Sequence, residues 1–180
     1  MIFETERLII RNYINEDRPV FAAIACNPAA RVFHLSALTR AESDAFIDVQ
    51  IATIDGAGYG FAVVERKADG AVMGDVGLRA VPDHYLFSKD FDFEIGWQFD
   101  PAYFGNGYAS EAAEGWLDRG FGALGIAEIV SYTAALKTPS IKVMERIGMT
   151  RDPARDYDHR NTPEGHPLRP QIVFSVVGPG

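Results

Sequence analysis

Hydrophobic and polar positions change period several times along the chain, and each change marks an element. Leu8 to Arg11 is a short extended run. Asn15 and Asp17 then precede Pro19, giving cap-type residues and a first-turn proline to a helix whose apolar face is Val20, Phe21, Ile24 and Ala25. Thr39 to Glu42 has the S/T-x-x-E spacing of a capping box and opens a second helix through Phe46, Val49 and Ile54, stopped at Gly56 and Gly58. From Tyr59 the period turns extended: Gly60 to Glu65, a hairpin turn at Ala68, Asp69 and Gly70, then Val72 to Val81. Pro82 to Asp90 reads as a polar loop.

The next stretch, Phe91 to Phe121, is the most informative. Phe91, Phe93, Ile95, Trp97 and Phe99 alternate with Asp92, Glu94, Gly96, Gln98 and Asp100, which predicts a strand with one buried face. Pro101 ends it, and a turn containing Gly105, Asn106 and Gly107 follows. Ala109, Ala112, Ala113, Trp116, Leu117, Phe121 and Leu124 then recur at helical spacing. Strand, glycine turn and helix in that order read either as an anion site or as an ordinary glycine turn before a helix; for the first, the helix start leaves N–H groups unpaired, and glycines let the backbone close around a phosphate.

Downstream, Ile126 to Thr133 is a β-branched strand, Pro139 to Ile147 a short amphipathic helix closed by Gly148, and Gln171 to Val177 a last strand. Thr150 to Pro170, with its prolines and charges, reads mostly as loop. No repeat or linker divides the chain, so one domain over residues 1–180 is expected.

Composition narrows the partners. At 47% hydrophobic, 180 residues can bury one core. The balance of 25 acidic to 17 basic residues, formally −8, without a basic run, argues against a nucleic-acid or anionic-membrane surface. A lone Cys26 and an N-terminus without a signal-type apolar run predict a reducing cytoplasm, and no apolar run approaches the roughly 20 residues a membrane span needs. A homodimer is compatible with all of this.

Three segments carry a family resemblance. Phe104-Gly105-Asn106-Gly107-Tyr108-Ala109-Ser110-Glu111-Ala112 resembles the acetyl-CoA pyrophosphate loop of the GNAT superfamily, in the form of its ribosomal-protein-alanine-acetyltransferase-like branch. Glu4-Thr5-Glu6-Arg7-Leu8-Ile9-Ile10-Arg11 resembles that branch's opening strand, and Thr138 to Met149 its last helix. The superfamily loop Q/R-x-x-G-x-G/A falls on Phe104, Gly107 and Ala109. Two positions depart from the pattern: Lys137 stands where N-x-x-S has asparagine, and Met144 where many relatives have a tyrosine acid.

The resemblance implies an α/β (α+β) GNAT fold, a central mixed, mostly antiparallel seven-stranded sheet flanked by helices and split near the phosphate loop. It implies an acyltransferase moving acetyl from acetyl-CoA, without metal, to a primary amine on a protein N-terminus or a small molecule. A catalytically weak acyl-CoA-binding module is the alternative, motivated by Lys137 and Met144. The implied cofactor contacts are Ile95, Gly96, Trp97, Gln98, Phe99, Phe104, Gly105, Asn106, Gly107, Tyr108, Ala109, Ser110 and Lys137. Glu94, on the polar strand face, is the candidate base, or else a solvated or ion-paired residue, with Asp92 second. The Trp97 N–H is the candidate oxyanion donor. Ser140 is the candidate proton donor to the thiolate, or else a helix cap. Lys137 either reaches a cofactor phosphate or sits on the surface. His159 and His166 lack metal-ligand spacing and read as loop or acceptor-site residues, and Trp97 and Trp116 as core. The acceptor would be chosen by Arg31 to Leu38, Val81 to Asp90 and Asp152 to Pro170.

Overall fold

In the computed structural model, residues 1–28, 30–81 and 91–179 are described, so the loop expected over Pro82 to Asp90 lies outside the described residues. The strands are β1 (Phe3–Glu4), β2 (Leu8–Arg11), β3 (Phe61–Arg66), β4 (Val72–Ala80), β5 (Phe93–Phe99), β6 (Glu128–Ala134), β7 (Thr150–Arg151), β8 (Tyr157–Asp158) and β9 (Pro170–Val177). The helices are α1 (Asp17–Ala25), α2 (Arg40–Ala57), α3 (Tyr108–Gly122) and α4 (Thr138–Arg146). Among the described residues the sheet has nine strands, not the seven expected. The surplus lies in two-residue strands, too short to leave a periodic trace.

Local chemistry explains the helix ends. The Thr39 hydroxyl accepts from the Glu42 N–H, and the Glu42 carboxylate accepts from the Thr39 N–H, so the capping box forms as its spacing predicts. Gly58, at φ 73°, closes α2. The cap expected from Asn15 and Asp17 does not form. Glu16 is the N-cap without a side-chain bond, and Asp17 turns inward to accept from Ile14 N–H and pair with Arg11 at 2.7 Å.

Strands run in the order β1-β2-β3-β4-β5-β6-β9-β7, with β8 on β9. Every pairing is antiparallel except β5 with β6, which is parallel and has one register pair, Glu94 with Val130. β4 pairs with β5 along its whole length, from Ala80–Phe93 to Gly74–Phe99. The sheet therefore splits along β5 beyond Glu94. One face packs against α3 and α4 through Leu78, Ile95, Phe99, Trp116, Ile129 and Met144. The other packs against α1 and α2 through Tyr13, Phe21, Ile47 and Val63.

The expected polar face of β5 is buried at Glu94, which is only 5% exposed and is met by Arg79 of β4 and Tyr132 of β6. Alternation separates the two faces, but it cannot say whether the more polar one meets water or other side chains. Among the described residues no helix is long and apolar enough to cross a membrane.

Candidate active site

The glycine turn sits where α3 begins. Gly105 and Gly107 have φ of 79° and 81°, a left-handed backbone that other residues adopt at a cost, and Gly107 is the helix N-cap. No side chain caps α3, so its first N–H groups remain available to a ligand. The opening segment locks this turn. Glu111 accepts from Thr5 Oγ1 at 2.5 Å, from Arg7 N–H at 2.8 Å and from Arg7 Nε at 2.6 Å, while Arg7 Nη1 donates to Asn106 O. Arg7 also lies over the Tyr108 ring at 4.6 Å. Burial alone would raise the Glu111 pKa, but these donors outweigh it and hold it low.

Two cavities flank the split. The glycine-loop cavity, about 430 Å³, is bordered by Phe104, Gly105, Gly107, Tyr108, Ala109 and Ser110, and across from them by Lys137, Lys142, Val143 and Arg146. Asn106 is not on its border, and neither are Ile95 and Gly96. The second cavity, about 510 Å³, is bordered by Arg31, Phe61, Asp75, Arg79, Gly96, Tyr132, Met144 and His159. The two share Phe33, His34, Trp97, Gln98, Lys137 and Ser140, and Phe99 belongs to the first. Hydrogen bonds at Val81–Asp92 and Met73–Asp100 fix the phase of the β4–β5 ladder. Alternation then turns the N–H and C=O of Trp97 and Phe99 toward the opened side, past the last β6 pairing.

Each expected side chain finds a definite place. Ser140 is 5% exposed and occupies the third position of α4, without capping it. Met144 is buried at 1% exposure. Lys137 is half-buried at the junction, and burial, with the Arg31 charge second, lowers its pKa to about 8. His34 is exposed as a residue, and partial desolvation of its ring, then the Arg31 and Lys137 charges, lower its pKa. Trp116 is core, with Phe3 edge-on at 5.4 Å, whereas Trp97 is half-buried and borders both cavities. His166 borders neither cavity. Among the described residues no three metal-ligating side chains come together.

Glu94 pairs with Arg79 at 2.5 Å and hydrogen-bonds Tyr132; burial raises its pKa against both partners. It borders neither cavity itself, but Arg79 and Tyr132 do border the second. Asp75 on β4 does so directly. This residue escaped the sequence reading because Gly74 and Gly77 blur the alternation around it. Its carboxyl is 2% exposed and accepts from Tyr13 Oη at 2.8 Å. Burial pushes its pKa up to about 7, against the pull of Tyr13, Arg31 and the Gln98 N–H.

A diphosphate ligand suits the glycine-loop cavity. The Ser110 hydroxyl is buried there without a partner, and Lys142 and Arg146 make no ion pair among the described residues. Lys142 and Arg146 lie within the last-helix motif, but only the fold turns them to the loop.

A split sheet with a cation-lined glycine loop at a helix start is the architecture of an acyltransferase. Residues 7–150 match the model of the Acetyltransferase (GNAT) domain, and the chain belongs to that family and is an acyltransferase. The uncharacterized N-acetyltransferase YnaD of Bacillus subtilis is 30% identical over 184 residues, covering 98% of this chain and 97% of its own. An acetyltransferase of the GNAT family from Bacillus anthracis superposes with a TM-score of 0.79 at 23% identity, covering 97% of this chain and 96% of the other. The ribosomal-protein-S5-alanine acetyltransferase of Vibrio fischeri does so at 0.74 and 16%, covering 98% and 96%, which shows a common fold.

Proposed function

We propose that the protein is a single-domain, acetyl-CoA-dependent N-acetyltransferase that passes an acetyl group directly to a primary amine. The observation that carries this is the junction: a strand edge freed by the split, with a cationic phosphate-type cavity on one side and a buried carboxyl of raised pKa on the other. The locking of Glu111 by Thr5 and Arg7, all within the motifs of the ribosomal-protein-alanine-acetyltransferase-like branch, supports that placement.

Acetyl-CoA supplies its acyl group as a thioester. Backbone N–H groups from Gly105 to Ala109 and the Ser110 hydroxyl would hold the pyrophosphate, with Lys137, Lys142 and Arg146 supplying positive charge. Phe104 and the Ile95 to Phe99 strand would border the arm. The Trp97 N–H is aimed to stabilise a developing oxyanion. Ser140, at the junction, can give a proton to the departing sulfur, a role Met144 cannot fill. The amine has to lose a proton, and two carboxyls are the candidates to take it. Glu94 would act only through the Tyr132 hydroxyl, which borders the cavity, whereas Asp75 borders it directly. No activated cysteine or serine suggests a covalent intermediate.

The test is calorimetry with acetyl-CoA, followed by free-thiol release over a panel of amines. Saturable binding and amine-dependent thiol release are expected. Absence of acetyl-CoA binding sinks the reading, and binding without release from any amine points instead to an acyl-CoA-binding module.

A further inference from the structure

A pair of glycines shapes one wall of the second cavity. Gly77 of β4 pairs with Phe61 on one side and with Gly96 of β5 on the other, so the three stand in one row across the sheet. A Cβ at Gly77 would stand 1.9 Å from Gly60 O and 2.5 Å from Phe61 Cα, so only glycine there lets the start of β3 come so close to β4. That approach carries the Phe61 ring past β4 to β5. A Cβ at Gly96 would meet the ring at 3.1 Å and, its chain neighbours aside, no other atom of the described residues within 4 Å. The Phe46 ring of α2 lies beside that of Phe61, 6.1 Å between centroids at a tilt of 54°.

The cavity therefore has a bare stretch of strand backbone at Gly96, edged by apolar side chains that are not fully covered. Leu38, Phe46 and Phe61 border it and are all half-buried, so they keep surface that a ligand can reach. None of the three borders the glycine-loop cavity, and neither does Gly96. The two cavities meet at Trp97 and Gln98, one and two residues along β5, about 3–7 Å from Gly96. A flat group laid on Gly96 is thus a short tether away from the opened strand edge. The charges bordering this cavity are the cations Arg31, Arg79 and Lys137, against Asp75 as the one carboxyl among the described residues. Asp75 already accepts from Tyr13 Oη.

We propose that the acceptor is a monoamine with a compact apolar body, best a flat aryl group, which lies on Gly96 against Phe61 and Phe46 and holds its amine at the strand edge by Trp97. This rests on the N-acetyltransferase reading for its turnover but not for its binding. An aryl group gains from burial against the two rings and needs no polar partner there. A polyamine is a poor fit, because its further ammonium groups would stand among three cations with one carboxyl to answer them. A peptide N-terminus brings backbone N–H and C=O groups that Leu38, Phe46 and Phe61 cannot pair.

The experiment compares phenethylamine with ethanolamine, spermidine and a short peptide with a free alanine N-terminus. Binding to the protein saturated with coenzyme A is measured by calorimetry, and turnover with acetyl-CoA by thiol release. Phenethylamine is expected to exceed each of the others by about tenfold or more in both, as burial of an aryl group predicts. In Phe61→Ala its lead over ethanolamine shrinks several-fold while acetyl-CoA affinity holds. Selective binding of phenethylamine without turnover keeps the apolar acceptor site and removes the transferase reading. Turnover of ethanolamine, spermidine or the peptide with equal or greater efficiency overturns the proposal and keeps the transferase. Binding of none of the four also overturns it, as does a folded Phe61→Ala variant whose preference is intact. The wild-type comparison decides the matter even if the variant does not fold.

Discussion

At the scale of single residues, Asp75 is the group whose environment most departs from its chemistry. A carboxyl ordinarily ionised near 3.8 is held back to about 7 by burial. A base must be unprotonated to act, so kcat/KM should rise with pH through about 7. Asp75→Asn should remove that limb and lower the rate, whereas Glu94→Gln keeps it if Glu94 acts only on Arg79. A flat Glu94→Gln profile beside an unchanged Asp75→Asn profile assigns the base to Glu94. The same shift bears on stability. The folded state holds the Asp75 proton more tightly than the unfolded chain, so as pH rises from about 4 to about 7 its contribution to stability falls. Asp75→Asn, neutral at every pH, should melt higher than the native protein at pH 8, by about 2–4 °C for each kcal/mol relieved, and lose that advantage at low pH. A melting series across pH checks both signs.

At the scale of elements, the loop and helix that begin at Gly105 depend on the chain's opening strand. Glu111 is on α3, and its partners Thr5 and Arg7 lie more than a hundred residues earlier. Glu111→Ala removes three hydrogen bonds from a partly exposed site, at a cost of about 1–2 kcal/mol, and frees the turn. Its acetyl-CoA dissociation constant should rise more than its melting temperature falls, which calorimetry and thermal unfolding together read. Gly107→Ala tests the turn itself. A Cβ there meets only Arg7 Nη2, at 3.6 Å, so the penalty is in the backbone, about 1–2 kcal/mol for a left-handed residue with a side chain. Unchanged affinity in this variant would argue that the turn does not cradle the ligand.

At the scale of the whole molecule, a formal charge of −8 surrounds a site whose junction carries Lys137 and whose glycine-loop cavity carries Lys142 and Arg146. Under the proposed function the anionic acetyl-CoA would be drawn by local fields against the global one, and its binding should weaken with added salt. Lys142→Ala with Arg146→Ala should weaken acetyl-CoA about tenfold and flatten the salt dependence. The alternation of β5, the capping box at Thr39 and the glycine turn were legible in sequence, because each depends on neighbours within a few residues. The two-residue strands, the inward turn of Asp17 and the burial of Glu94 were not, because they depend on what packs across the sheet.

The sequence by itself determined the order of the longer elements, the glycine turn and the family, since period, glycine placement and motif spacing are local properties of the chain. Only the tertiary structure decided which carboxyl borders the second cavity, which cations face the loop and that Arg31 meets Gln98. Those relations join residues far apart in sequence, Tyr13 with Asp75 and Arg31 with Gln98, and burial sets their charge. Desolvation is a property of the surroundings, and the surroundings exist only once the chain has folded.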